Sequence, residues 1–208
     1  MLITLVVANQ KGGVGKTTTA LNLAASLSAA SRKVLLLDLD SQGNSTTGIG
    51  KEKREEGNSL IDVLVKEDAL LNLVIEETGY KFDLIPASSD LISAEIELSS
   101  LSNPTAILRS KLQQVANKYD YIVIDCPPSL GMLSVSALRA ASKVLIPLQC
   151  EYYSLEGLAA MNKTIKEINE ATGENIEIAG ILRTMYDSRI RLSREVSKEL
   201  EEHFSEKL

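Results

Sequence analysis

A glycine-rich segment with two lysines is the part of the sequence whose residue types most directly indicate chemistry. It reads Asn9-Gln10-Lys11-Gly12-Gly13-Val14-Gly15-Lys16-Thr17-Thr18-Thr19. An apolar run precedes it at 2–8 and an alanine-rich amphipathic run follows at 20–27, which predicts a strand, a turn and a helix in that order. Such a turn directs several backbone N–H groups and the positive end of the helix dipole at one point, and a polyphosphate fits that field. We therefore predict that this loop binds a nucleotide.

The side chains of the loop predict how the nucleotide is held. Lys16 is expected on the β- and γ-phosphates and the hydroxyl of Thr17 on Mg²⁺. The general phosphate-loop pattern has a glycine five positions before Gly15, where this chain has Gln10. It has instead a second lysine, Lys11, for which the folding of a turn gives no reason. The predicted nucleotide-binding set is Lys11, Gly12, Gly13, Val14, Gly15, Lys16, Thr17 and Thr18.

Three aspartates that end or follow apolar runs supply the remaining chemistry: Asp38, Asp40 and Asp125. An aspartate after a buried strand is the arrangement that holds Mg²⁺ directly or through its waters in phosphate-loop enzymes. Asp38 and Asp40 lie two residues apart on an extended segment and so point the same way. One would serve the Mg²⁺ shell and the other would orient the attacking water, the role we assign to Asp40. The alternative for Asp40 is a cap on the following turn. The predicted metal set is Thr17, Asp40 and Asp125.

Apolar runs and helical patterns alternate along the chain, and this alternation predicts the fold. The predicted strands cover 2–8, 33–38, 82–86, 121–125, 143–148 and 176–182. The predicted helices cover 20–27, 89–99, 105–118, 132–141, 155–172 and 192–204, and the polar segment 41–58 is predicted to be a mobile connection. Runs that are apolar throughout are typical of parallel strands covered on both faces. We predict an α/β fold with a doubly wound, mostly parallel sheet flanked by helices, and ligands at the carboxyl ends of the strands.

Length and composition restrict the classes of protein. The 208 residues suit a single domain over 1–208. Apolar runs fall short of the ~18 residues that span a bilayer, and the N-terminal run is too short for a secretory signal. The two cysteines, Cys126 and Cys150, are too few for a disulfide framework, so a cytoplasmic location is expected.

The charge pattern bears on nucleic-acid binding. A net charge of −6 argues against binding through overall charge. A local exception lies at 183–198, which contains five cationic residues and two carboxylates and so has a net charge of +3. The alternative reading of this cluster is a solvated helix face. The cations are Arg183, Arg189, Arg191, Arg194 and Lys198, and the carboxylates are Asp187 and Glu195.

Four segments together resemble the ParA/Soj family of chromosome and plasmid partitioning ATPases, whose phosphate loop is the deviant Walker A type with an additional lysine. They are 11–18 (KGGVGKTT), 38–44 (DLDSQGN), 125–131 (DCPPSLG) and 149–158 (QCEYYSLEGL). The last is the most discriminating, because the first three also occur in related deviant-Walker ATPases. The resemblance runs in the same order from residue 2 to 208.

The resemblance implies an ATPase switch with ATP and Mg²⁺ as cofactors and Lys11, Lys16 and Asp40 as catalytic residues. The lysine matching Lys11 reaches across an ATP-bound homodimer to the partner's phosphates. The aspartate matching Asp40 positions the water, and that matching Asp125 supports Mg²⁺. The implied partners are nonspecific DNA and a ParB-like protein that stimulates slow hydrolysis, with a nucleoid-associated location and no membrane. The implied DNA contacts are Arg189, Arg191, Arg194 and Lys198.

Two departures from the family and three alternatives accompany this interpretation. Ser41 stands where family members often have proline, and family sequences usually continue past Leu208 with a further strand and helix. A MinD-like ATPase on a membrane surface would need a basic amphipathic tail, whereas 199–208 is acidic. An iron–sulfur reductase of the nitrogenase type would need Cys126 and Cys150 as cluster ligands. A nucleotide-binding scaffold without catalysis is the third alternative, and the presence of Asp40 and Asp125 weighs against it.

Overall fold

The computed structural model describes residues 2–55 and 59–208, and within these ranges seven strands form one sheet. The order across the sheet is β3-β4-β2-β5-β1-β6-β7, and every neighbouring pair is parallel except β3 and β4. Helices flank both faces, which confirms the predicted α/β fold. The strands are β1 (Ile3–Val7), β2 (Val34–Asp38), β3 (Glu76–Glu77), β4 (Asp83–Ile85), β5 (Tyr121–Asp125), β6 (Lys143–Gln149) and β7 (Glu177–Thr184).

The helices follow the predicted pattern with local differences. They are α1 (Lys16–Ala29), α2 (Asn44–Gly48), α3 (Leu60–Val65), α4 (Ala94–Ser99), α5 (Pro104–Gln113), α6 (Met132–Ala140), α7 (Tyr152–Thr172) and α8 (Arg191–Phe204). Short 3₁₀ helices lie at Leu71–Val74, Ser89–Ile92 and Ser205–Lys207. The single helix predicted at 89–99 is therefore wrong, since a 3₁₀ turn and α4 share that segment. In the described ranges no helix combines the length and apolarity needed to cross a membrane.

The mobile connection predicted at 41–58 is also wrong where the structure describes it. Residues 44–48 form α2, in which Ser45 and Thr46 are fully buried. The backbone of Arg54 then forms an isolated bridge with Ser88. The polar composition misled the prediction because the serine and threonine hydroxyls bond to buried carboxylates rather than to water. The part of the segment at 56–58 lies outside the described residues.

The core lies on both faces of the sheet because successive strand residues point to opposite sides. In β2, Leu35 and Leu37 pack into the larger cluster, and Leu36 packs into a smaller cluster beneath α1. Ala20 and Ala24 of α1 have no exposed surface, and their small side chains let the helix approach the strands closely. The central strands are therefore covered on both sides.

The register of the central strands sets the geometry of the site. Asp125 at the end of β5 is paired with Val7 of β1 on one side and with Asp38 of β2 on the other. The glycine-rich loop begins directly after β1. The start of the loop, Asp38 and Asp125 therefore lie side by side at the carboxyl edge of the sheet. The predicted convergence at the carboxyl edge is thus present.

Candidate functional site

The glycine-rich loop is folded by two glycines in the left-handed region. Gly13 has φ +73° and Gly15 has φ +88°, conformations that a side chain would strain. Gly15 is the N-cap of α1 and supplies no side-chain cap, so the N–H groups of the first helical turn remain available for an anion. The loop is also tied to β7, because the hydroxyl of Thr184 donates to the carbonyl of Val14 at 2.9 Å. Gly12, Gly13 and Thr18 are exposed on the loop surface.

Lys16 lies inside the loop and is almost fully buried. Its ammonium donates to the carbonyl oxygen of Lys11 at 2.9 Å. Burial lowers the pKa of Lys16, and the negative charges of Asp125 and Asp40 oppose that shift. A partly desolvated ammonium beside free backbone N–H groups is suited to a phosphate oxygen.

Lys11 takes a different direction from Lys16. Its ammonium forms an ion pair with the carboxylate of Glu151, which directly precedes α7. Its backbone N–H donates to Asn9 Oδ1 at 3.0 Å, and Asn9 Nδ2 donates to the carbonyl of Pro147 at 2.7 Å. Neither Asn9 nor Glu151 is a predicted partner of Lys11, although both lie inside the motif segments 9–19 and 149–158.

Asp125 is a buried carboxylate that interacts with Lys16 and Thr17 of the loop. Its Oδ2 accepts a hydrogen bond from the hydroxyl of Ser45 at 2.8 Å, whereas Oδ1 has no hydrogen-bond partner among the described residues. Burial raises the pKa of Asp125 to about 6, and the charge of Asp38 adds to that shift, while Ser45 and Thr17 oppose it. A buried carboxylate oxygen without a partner, close to the Thr17 hydroxyl, fits the oxygen ligands that Mg²⁺ and its waters prefer.

Asp38 and Asp40 differ in their surroundings. Asp38 is fully buried, and its Oδ2 accepts both the N–H and the hydroxyl of Thr46 at 2.8 Å. Its Oδ1 accepts the N–H of Asp40 at 3.2 Å, so both oxygens of Asp38 hold the backbone that follows β2. Asp40 is only partly buried, and its Oδ1 accepts the N–H of Gln42 at 3.0 Å. Asp40 therefore does cap the next turn, and its assignment to the attacking water stays a prediction.

The two cysteines lie in the interior. Cys126 and Cys150 are both buried as free thiols, and burial raises the pKa of each. A cluster shared between two subunits needs thiols at the surface. The iron–sulfur alternative therefore finds no support in their positions.

The predicted DNA-binding cations lie on α8 and in the turn before it, and all are exposed. Three of them are paired with carboxylates of the same chain: Arg189 with Asp187, Arg191 with Glu195, and Lys198 with Glu202. Arg194 instead donates to the carbonyl of Ser188 at 2.8 Å. Arg183 bonds to Ser197 and Glu201 and so ties β7 to α8.

Comparison with known proteins places this site in a family. A family model described as an AAA domain matches residues 3–178. The chain is 43% identical to the chromosome partitioning protein ParA of Myxococcus xanthus, over 98% of this chain and 72% of that protein. It is 42% identical to the sporulation initiation inhibitor protein Soj of Bacillus subtilis, over 98% of this chain and 81% of that protein. The chain belongs to the ParA/Soj family of chromosome-partitioning ATPases.

Solved structures share the fold of this chain. Cobyrinic acid a,c-diamide synthase from Mycobacterium smegmatis, solved with ADP and magnesium, superposes with a TM-score of 0.90 at 37% identity. The match covers 98% of this chain and 83% of that one. The same protein has been solved with an ATP analogue and magnesium. The nucleotide and magnesium in these neighbours are of the same kind as the predicted cofactors, and their fold agrees with the phosphate-loop ATPase class of this ParA/Soj chain.

Proposed function

We propose that this chain is an ATP-dependent dimerising switch for chromosome or plasmid partitioning. ATP closes a homodimer, the dimer binds DNA without sequence preference, and slow hydrolysis, stimulated by a ParB-like partner, releases it. The observation that carries the proposal is the separation of the two loop lysines. Lys16 lies buried within its own loop, whereas the ammonium of Lys11 lies outside it on Glu151 and is accessible to a second subunit.

The residues of the site divide the chemistry in a way that fits ATP hydrolysis. Bound ATP and Mg²⁺ supply the γ-phosphoryl group and the charge that neutralises its oxygens. The N–H groups from Gly12 to Thr18 and the Lys16 ammonium hold the phosphates. Thr17 and Asp125 hold Mg²⁺ or its waters, and Asp40 orients the water and contributes to the metal shell. Lys11, provided by the second subunit, stabilises the charge that develops at the γ-phosphate.

DNA binding in this proposal is an exchange of ion pairs. Arg189, Arg191 and Lys198 are at least 77% exposed, and exposed pairs of this kind contribute little free energy. DNA phosphates can therefore replace their carboxylate partners at small cost, and Arg194 has no carboxylate to lose among the ion pairs of the described residues. Binding through several such cations falls steeply with added salt.

The test is the mass in solution of the Asp40→Ala protein, measured by light scattering after gel filtration with Mg-ATP and with Mg-ADP. The substitution leaves both loop lysines in place and removes the group assigned to the water, so ATP should persist. We expect a dimer with ATP and a monomer with ADP. Only the ATP sample should then shift a nonspecific DNA duplex. A monomer with both nucleotides would overturn the proposal.

A further inference from the structure

The ion pair between Lys11 and Glu151 joins residues that are 140 positions apart in the sequence. We propose that Glu151 is a positioning residue, which holds Lys11 in a waiting position in the nucleotide-free subunit and must release it when two subunits close on ATP. This inference rests on the proposed function, because the competing site for Lys11 is the partner's nucleotide. Through this contact, Glu151 sets the ATP concentration at which the two subunits close into a dimer.

Both ends of the ion pair are held by local structure. On one side, Asn9 accepts from the N–H of Lys11 and donates to Pro147 of β6, which fixes the start of the loop against that strand. On the other side, the N–H of Glu151 donates to the carbonyl of Gln149 at 2.8 Å, and the carbonyl of Glu151 accepts from Ser154 at 3.0 Å. The two backbones are therefore preorganised, and the pair forms without ordering a flexible segment.

The carboxylate of Glu151 is committed to Lys11 rather than to its own helix. Glu151 is the N-cap of α7, yet its side chain makes no capping hydrogen bond to the first turn. The side chains of Lys11 and Glu151 remain 38% and 53% exposed, so a second subunit can reach the pair. In the proposed dimer the ammonium of Lys11 leaves this carboxylate for a partner's phosphate, and dimerisation therefore opposes the pair.

The size of the effect follows from the number of pairs broken. An exposed lysine–carboxylate pair shifts an equilibrium by roughly two- to fivefold. A symmetric dimer breaks two such pairs, so the factors multiply. Removing Glu151 should tighten the ATP dimer by about four- to twenty-five-fold.

The chain offers a matched control at the other end of β6. Lys143 and Glu177 form an ion pair with side chains 40% and 47% exposed, close to the values for Lys11 and Glu151. This pair lies at the amino ends of β6 and β7, away from the loop. Glu177→Gln therefore removes an equivalent surface pair without touching Lys11.

The first measurement uses the nucleotide-free protein and does not depend on dimerisation. Lysines are acetylated briefly with a limiting reagent, and the rate at each lysine is read by mass spectrometry of peptides. Glu151→Gln should raise the rate at Lys11 by roughly two- to fivefold and leave Lys143 unchanged. Glu177→Gln should do the reverse. An unchanged rate at Lys11 in Glu151→Gln would overturn the inference.

The second measurement is the dissociation constant of the ATP dimer in the Asp40→Ala background, with and without Glu151→Gln. Glu151→Gln should lower this dissociation constant by about four- to twenty-five-fold, and Glu177→Gln should leave it unchanged. Affinity for ADP, which is measured on monomers, should stay the same. An equal gain in ADP affinity would show that Glu151 acts on the nucleotide charge directly, and would overturn the inference. If Asp40→Ala does not dimerise with ATP at all, the proposed function fails and the gating role fails with it, while the acetylation rates still report the ion pair.

Discussion

Replacing Asp125 by asparagine removes a buried negative charge while keeping the size of the side chain. Burial raises the pKa of Asp125 from 3.8 to about 6, and each pKa unit corresponds to about 1.4 kcal/mol. Between those values the folded chain binds more protons than the unfolded chain, so wild-type stability falls as pH rises through the window. Asparagine does not titrate. Without nucleotide, Asp125→Asn should therefore gain stability over wild type as pH rises, by up to roughly 3 kcal/mol near pH 7.5.

The assay is urea denaturation of both proteins without nucleotide, at about pH 4.5 and about pH 7.5. From the same pKa values, the advantage of the variant should be about 1 kcal/mol at the lower pH and larger by roughly 2 kcal/mol at the higher. The variant also loses a charge partner for Lys16, so the test rests on the difference between the two pH values and not on either value alone. Asp187→Asn is the control: Arg189 lowers the pKa of that carboxyl below its ordinary 3.8, so its titration lies under both pH values, and this variant should be less stable than wild type by nearly the same amount at both. Parallel pH curves for wild type and Asp125→Asn would refute the reasoning.

Two further outcomes are expected for the segments around the site. Thr46→Val removes the hydroxyl that donates to Asp38 and accepts from the N–H of Ala87 at 2.9 Å, and it should lower the free energy of unfolding by roughly 1–3 kcal/mol in urea. Gly13→Ala should destabilise the nucleotide-free protein by about 1–2 kcal/mol, since φ there is +73°. Gly12→Ala, whose added Cβ meets nothing within 4 Å and whose φ is not in the left-handed region, should have little effect. Equal thermal shifts for the two glycine variants would contradict the strain argument.

The main elements could be predicted because their patterns are local. β5 matches its predicted range of 121–125, and α8 begins one residue before its prediction. β3 could not be found, since two glutamates carry no apolar signal and only pairing with β4 makes them a strand. Lys111 is another example, a buried lysine whose ammonium donates to three backbone carbonyls at 66–69. Nothing in its sequence context separates it from a surface lysine.

The same distinction applies to the site: some of its residues could be predicted from their neighbours in the chain, and others depend on contacts between distant segments. The phosphate loop and the strand-ending carboxylates are fixed by neighbours in the chain, so residue type and order were enough to predict their convergence. Glu151 meets Lys11, and Ser45 meets Asp125, only because distant strands lie side by side in the sheet. These contacts are specific to the tertiary structure and leave no periodic signal in the sequence.

The buried aspartates and α2 also explain why the segment that carries Asp40 is ordered in the described residues. Ser45 donates to Asp125 and Thr46 donates to Asp38, so two adjacent residues of α2 are held by carboxylates on neighbouring strands. Asp38 further holds the N–H of Asp40. A carboxylate with a raised pKa lowers stability at neutral pH, and a sequence selected for stability alone would replace it. The presence of these buried aspartates is explained if their charge helps to bind the Mg²⁺ of a bound nucleotide. The hydrogen bonds of Ser45, Thr46 and Asp38 then link the bound cation to the position of Asp40.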